Sequence, residues 1–373
     1  MWRGPWFVFA CAECDAALTV PLSQVALPAH ARQTYGDGAQ LPVLMKSGTF
    51  AVDPDPWGGP WRLWDELEPG EAEARGIYAP VHALSDSAPG AFVIAPGDVR
   101  GTRMIPEMRG GACCGLDGAD GPNMACVTCD LPVATRIDDC SLWQAVRLSP
   151  DAVRRVRVEG SHPAPLSWAE LAEKGASTPP FEPISTWGGR FGTSHYWSWS
   201  PRWEAAAGHA LAHLLAASEG QPVTVPTGLT ADVFQRALDA LLPVGPAKRR
   251  AVLAGPGRPT PDTGVDILLV PVHPQTGRTW APDGPATSAY RVPLPLGVWL
   301  WLVSAQPYLP VPATGRLPHD VLRDEPLPPR PNYLFRADWG TFQHTLVRLR
   351  AVRSPWLRTI LESLPQDGTA DFF

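Results

Sequence analysis

Apolar residues in the first 150 positions come in short runs, cut every few residues by Gly, Pro, Asp or Ser. The runs at 6–10 (WFVFA), 91–95 (AFVIA) and 133–137 (VATRI), and the stretch 141–148, have the length and composition of strands. Residues 61–75 carry a helical spacing that Pro69-Gly70 interrupts. Beyond residue 187 the period lengthens. Residues 203–218 and 230–242 predict helices, with Thr230 or Asp232 placed to cap the second, and 341–349 and 355–364 predict two more. Residues 223–225, 266–272 and 296–303 read as extended, the last as a buried strand because LGVWLWLV is apolar throughout. Pro163, Pro165, Pro179, Pro180 and Pro183 surround a short helical piece at 167–174 and mark a junction.

This order predicts an α+β fold in three parts. A cysteine-rich, turn-rich β region at 1–160 leads through a Pro-rich junction at 161–185 into a mixed α+β domain at 186–373. No repeat occurs at a solenoid or propeller period.

Composition narrows the class. At 373 residues, 45% hydrophobic and 18% charged, the chain has apolar content for a substantial core, which argues against global disorder. A net charge of −6 gives no strong nucleic-acid signal. The basic runs are short, at Lys248-Arg249-Arg250 and at Arg348, Arg350, Arg353 and Arg358, where apolar residues interleave as in an amphipathic element packed on the protein. Lysine occurs only at positions 46, 174 and 248, which reads as the codon bias of a GC-rich, bacterial genome.

The apolar run at 6–10 ends at Cys11, but it is shorter than the apolar region of a signal peptide. The uncharged stretch 292–315 approaches membrane length, yet five prolines break it. No membrane association is expected. The sequence points to a reducing, cytoplasmic setting, where cysteines serve as metal ligands more readily than as disulfides.

All seven cysteines precede residue 141. Two CxxC pairs, Cys11-Ala-Glu-Cys14 and Cys126-Val-Thr-Cys129, carry the sharpest chemistry. Two intervening residues let one tight turn aim both sulfurs at an ion, and two such turns complete a four-thiolate site for Zn²⁺. Strand-like sequence follows each turn, at 18–20 and 133–137. The separation of 111 residues, 15 to 125, leaves a second scheme open, in which Cys114, Cys126, Cys129 and Cys140 close a local site. Cys11 and Cys14 would then take Cys113 with His30 or His82. Adjacent Cys113 and Cys114 point apart in extended chain, so they serve different sites under either scheme.

The CxxC pairs resemble the knuckles of zinc ribbons, which implies a structural ion and no particular activity. Cys113-Cys114-Gly115 followed by Cys126-Val-Thr-Cys129 also resembles the cysteine-rich modules of heterodisulfide reductases, which implies an iron–sulfur cluster. That family has a longer spacer than the ten residues 116–125 found here. Asp117 and Asp120 in LDGADG lack the alternating ligands of a calcium loop. Gly115, Gly118, Gly121 and Pro122 instead supply the turns that return Cys114 toward Cys126.

Elsewhere the chemistry is sparse. His209 and His213 in GHALAH lie one helical turn apart, but Ala210 stands where a zinc protease has its glutamate. Helical projection gathers Trp203, Ala207, Ala210, Leu211, Leu214 and Leu215 into the buried stripe and sends both histidines to the solvent side. The segment 193–203 (TSHYWSWSPRW) places Trp197 and Trp199 on one strand face, as core residues beside His195. No nucleophile elbow, phosphate loop or dinucleotide fingerprint occurs. The reading is a zinc-binding protein acting as a binding or accessory component, with a protein partner open. The alternatives are a metal-dependent enzyme with its ion among the N-terminal cysteines, and an iron–sulfur redox protein.

Overall fold

The computed structural model describes residues 5–34, 41–108, 115–159, 164–174, 177–183, 197–259, 264–282, 288–304, 312–313, 330–331 and 333–363. The fold is α+β. Its first half is built on strands β1 (Trp6–Cys11), β2 (Leu22–Gln24), β3 (Thr49–Asp53), β4 (Trp61–Leu63), β5 (Ala83–Ser85), β6 (Ala91–Ile94), β7 (Thr102–Met104), β8 (Met124–Cys126), β9 (Pro132–Ile137), β10 (Ala145–Leu148) and β11 (Val153–Arg157). Nine of them form one sheet in the order β11-β1-β2-β3-β6-β10-β9-β8-β7, while β4 and β5 pair separately.

Alternation along the central strands gives the sheet two buried faces. Phe50, Ile94 and Val146 point into one cluster with Phe9, Leu22, Met124, Val133 and Val153, so strands from both ends of the sheet share that interior. Ala51, Val93 and Ala145 point the other way, under Leu41, Leu44, Met45 and Trp143. The sheet curls far enough for its ends to meet. Residues 17–20 form the joint: Leu18 N–H donates to the Phe9 carbonyl at 2.8 Å, Arg100 N–H to the Leu18 carbonyl at 2.8 Å, and Val20 N–H to the Asp98 carbonyl at 3.0 Å. The extended segment expected at 18–20 contributes these isolated bridges rather than a strand of the ladder.

Helices α1 (Glu71–Ala74) and α2 (Trp168–Lys174) and the paired strands β12 (Phe181–Pro183) and β13 (Trp197–Trp199) lead into the second half. There α3 (Pro201–Ser218), α4 (Leu229–Leu241), α5 (Leu296–Val303), α6 (Trp339–Leu346) and α7 (Pro355–Ser363) accompany β14 (Val223–Thr224), β15 (Arg249–Leu253), β16 (Ile267–Val272) and β17 (Tyr290–Pro295). These four strands make a wholly parallel sheet in chain order, which requires crossovers such as α4 between β14 and β15. Ile267, Leu269, Val292 and Leu294 face the main core with α3 and α4, and Leu268 and Val270 face Ala254 behind. The same core takes in Ala72, Ile77, Ala79 and Leu84 from the first half. Among the described residues no helix is long and apolar enough to cross a membrane.

Several expectations need correction. Residues 296–303 are the helix α5, not a strand. The extended segment lies just before it in β17, and Pro295 at the N-cap starts the turn. The strand expected at 141–148 is confined to Ala145–Leu148, because Ser141 adopts φ 72° and breaks the extended chain. Helix α4 begins at Leu229 after Gly228 with no side-chain cap, so neither Thr230 nor Asp232 has that role. The helix read across 61–75 resolves into β4, a single 3-10 turn and the short α1, separated at Pro69-Gly70.

Candidate metal centre

Cys11 ends β1 and Cys126 ends β8, and each of those strands lies next to an edge of the nine-stranded sheet. Curling of the sheet therefore carries two remote turns to one place. The four sulfurs of Cys11, Cys14, Cys126 and Cys129 all lie within 4.8 Å of one another and could hold a metal ion. Cys11 Sγ stands 3.5 Å from Cys129 Sγ, and Cys14 Sγ 3.6 Å from Cys126 Sγ. These are thiol contacts, far beyond the ~2.0 Å of a disulfide.

The two turns match bond for bond. Asp15 N–H donates to the Cys11 carbonyl at 3.1 Å, and Asp130 N–H to the Cys126 carbonyl at 3.0 Å. Cys11 N–H reaches the Ala16 carbonyl and Cys126 N–H the Leu131 carbonyl, both at 2.9 Å. Asp15 and Asp130 each adopt φ 63°, the left-handed conformation that aspartate tolerates better than most residues. Each then meets an arginine, Asp15 with Arg154 of β11 and Asp130 with Arg103 of β7. The sequence carries this signal as Ala-Cys-x-x-Cys-Asp at 10–15 and 125–130, which cysteine spacing alone does not bring out.

The backbone also prepares the sulfurs. Burial pushes the Cys126 thiol up, but N–H groups of Thr128 and Cys129 and the neighbouring thiols outweigh it and lower its pKa to about 7. Cys129 behaves oppositely. The Leu131 N–H favours its thiolate, yet desolvation and the surrounding thiols push it up to about 12. Cys14, with the Ala16 N–H on its sulfur, is likewise raised by desolvation and its cysteine neighbours. One thiolate forms readily here, and further ones repel it. A cation among the sulfurs removes that conflict, because a metal ligand is the deprotonated thiol.

Cys140 is buried at the far end of β9, whose six residues place it on the order of 20 Å from the Cys126–Cys129 turn. It does not join the four sulfurs, so Cys126 and Cys129 meet Cys11 and Cys14 rather than Cys140. Cys113 and Cys114, and with them the Cys-Cys-Gly string, lie outside the described residues, as does His195. His30 packs on Trp143 at 4.3 Å between ring centroids, and His82 is exposed. Asp117 accepts the Ala119 N–H at 2.9 Å, an Asx turn inside the glycine loop.

His209 and His213 are half-buried rather than set on an open face. Both line a cavity with His344 of α6, because the back of α3 is covered as well as its apolar stripe. The stripe itself, Trp203, Ala207, Ala210, Leu211, Leu214 and Leu215, is buried. Compared with protein-family models, curated proteins and solved structures, the chain matches none.

Proposed function

We propose that Cys11, Cys14, Cys126 and Cys129 bind one structural Zn²⁺, and that the protein acts in a reducing, cytoplasmic setting as a binding or accessory component. The sulfur geometry carries this reading. Tetrahedral zinc with Zn–S near 2.3 Å needs sulfurs roughly 3.8 Å apart, and the closest pairs stand at 3.5 and 3.6 Å. An iron–sulfur cluster places several metal atoms between its thiolates and needs a wider ring than one with every sulfur within 4.8 Å. Four thiolates fill a tetrahedral ion, whereas a catalytic zinc keeps an open position. This favours the structural role over the enzymatic one.

The two turns, read as zinc-ribbon-like knuckles, would act as a staple. Each sits beside one edge of the curled sheet, so an ion shared between them ties the sheet closed where 17–20 and 98–100 already bridge. Elemental analysis of protein purified without oxygen tests the reading: one zinc per chain and a colourless solution are expected. Iron with inorganic sulfide, or a protein that remains fully folded without metal, would refute it.

A further inference from the structure

Helices α3 and α6 cross where Gly208 meets the start of α6. A Cβ on Gly208 would stand 2.3 Å from the Asp338 carbonyl oxygen and 3.1 Å from Phe342 N, so glycine alone permits this approach. The crossing brings His209 and His213 of α3 and His344 of α6 to one cavity of about 340 Å³. Its other wall comes from the first half of the chain: Arg32, in the 3-10 turn at Ala29–Arg32, and Asp53 and Asp55, at and beyond the end of β3. Arg348, two residues past α6, completes it.

The cavity wall carries two guanidinium groups, Arg32 and Arg348, and two carboxylates, Asp53 and Asp55. Asp53 is fully buried, and its oxygens accept from Arg32 at 2.6 Å, from the Asp55 N–H at 3.1 Å and from Arg147 at 2.6 Å. Asp55 stands 3.4 Å from His344 Nε2 and 3.3 Å from Arg348 Nε, and neither nitrogen makes a hydrogen bond. Arg147 reaches Asp53 from outside this lining, so the wall is balanced until an imidazole takes a proton and then turns positive. Burial, with repulsion from Arg32, lowers Arg147 to about 10 in spite of Asp53.

The imidazoles are oriented from behind. His209 is hydrogen-bonded to the Pro293 backbone, and His213 Nδ1 meets the Tyr290 hydroxyl at 3.1 Å. Each ring keeps a second nitrogen that no described protein group claims. Burial holds both rings neutral, His209 at about 4 and His213 at about 3, and their centroids are 4.9 Å apart. Charging both requires a counter-anion. A shared metal is the weaker reading, since the four cysteines are the one metal-capable group among the described residues.

We infer that this cavity binds a small molecule bearing an oxyanion, phosphate or carboxylate, held by His209, His213, His344 and Arg348. The anion balances the charge of the imidazoles that take a proton with it, and its oxygens accept from imidazolium and guanidinium N–H groups.

Calorimetric titration of the full-length, metal-containing protein at low salt and pH 6.5 tests this, with inorganic phosphate in one arm and succinate in the other. Saturable one-to-one binding is expected, and the arm that binds names the class. Histidine-ring NMR of the bound form should show the pKa of His209 and His213 raised by at least about one unit. Arg348→Gln and the double variant His209→Gln with His213→Gln should each weaken binding at least ~10-fold, with near-UV circular dichroism confirming a native fold. Binding in neither arm, or unchanged binding in both variants, would overturn the inference. So would uptake of an extra metal equivalent that the histidine variant loses. The cysteines take no part, so either failure leaves the zinc reading standing.

Discussion

The cysteine centre and the histidine cavity both unite residues remote in sequence, but they are assembled differently. In the centre one device is used twice: Ala-Cys-x-x-Cys-Asp and the residue after it close their own turn and supply N–H groups to their own sulfurs, and only the arginine that meets each aspartate comes from a neighbouring strand. Tertiary structure has only to bring two finished halves together. The cavity has no such unit. Residues near 32, 53–55, 209–213 and 344–348 each supply one or two groups, and a close helix crossing sets their positions. A site made of local turns tolerates distant change, whereas one made by packing is sensitive to every element that packs.

The largest effect expected from this contrast follows removal of a sulfur. Cys126→Ser or Cys129→Ser should abolish metal binding and cost several kcal/mol, on the order of 10 °C in melting temperature. Elemental analysis and calorimetry read both, and unchanged metal with unchanged melting would break the comparison at its first term.

Next comes the helix crossing. Gly208→Ala inserts a Cβ against the backbone of α6 and should cost about 1–3 kcal/mol by overpacking, measured by urea unfolding, while metal content stays at one equivalent. A variant that loses metal would show that the two regions are not independent.

The pH dependence should be smaller, and the cavity histidines share it with His30, which burial and the nearby Arg202 lower to about 3. Burial lowers His209 and His213 to about 4 and about 3, below the ordinary value near 6.5. The unfolded chain therefore binds more protons over that interval, and stability falls as pH drops from about 6.5 toward 4. Each histidine contributes a slope of at most ~1.4 kcal/mol per pH unit. Replacing His213 by Gln should flatten the curve in this window and leave it unchanged above pH 7. An unaltered curve would mean that His213 is solvated. The smallest effect is a null one: His209→Ala with His213→Ala should leave the metal equivalent in place, by elemental analysis.

Legibility in the sequence followed the same divide. Strands β1 and β9 and helices α3 and α4 carry periods that report one dominant partner face, and they fall near their expected positions. Leu296–Val303 is apolar at every position, so its pattern does not separate helix from strand, and Pro295 decides. The cysteine spacing left two ligand schemes open, because curling of a nine-stranded sheet has no local signature. Among the described residues, the length of β9 carries Cys140 away and the four sulfurs that lie together are those of Cys11, Cys14, Cys126 and Cys129. His209 and His213 do lie off the apolar stripe of α3, as projection requires. Projection assumes that the other side meets water, and here Ala205, Gly208 and Ala212 are small enough for that side to be buried as well. The aspartate after each CxxC was visible in the sequence, and it is the geometry at φ 63° that gives it meaning.

The central claim, one zinc ion held by Cys11, Cys14, Cys126 and Cys129, is tested most directly by X-ray absorption at the zinc edge on the full-length protein. The account predicts a single shell of four sulfur atoms at roughly 2.3 Å. A shell containing nitrogen or oxygen ligands, or fewer than four sulfurs, would contradict it.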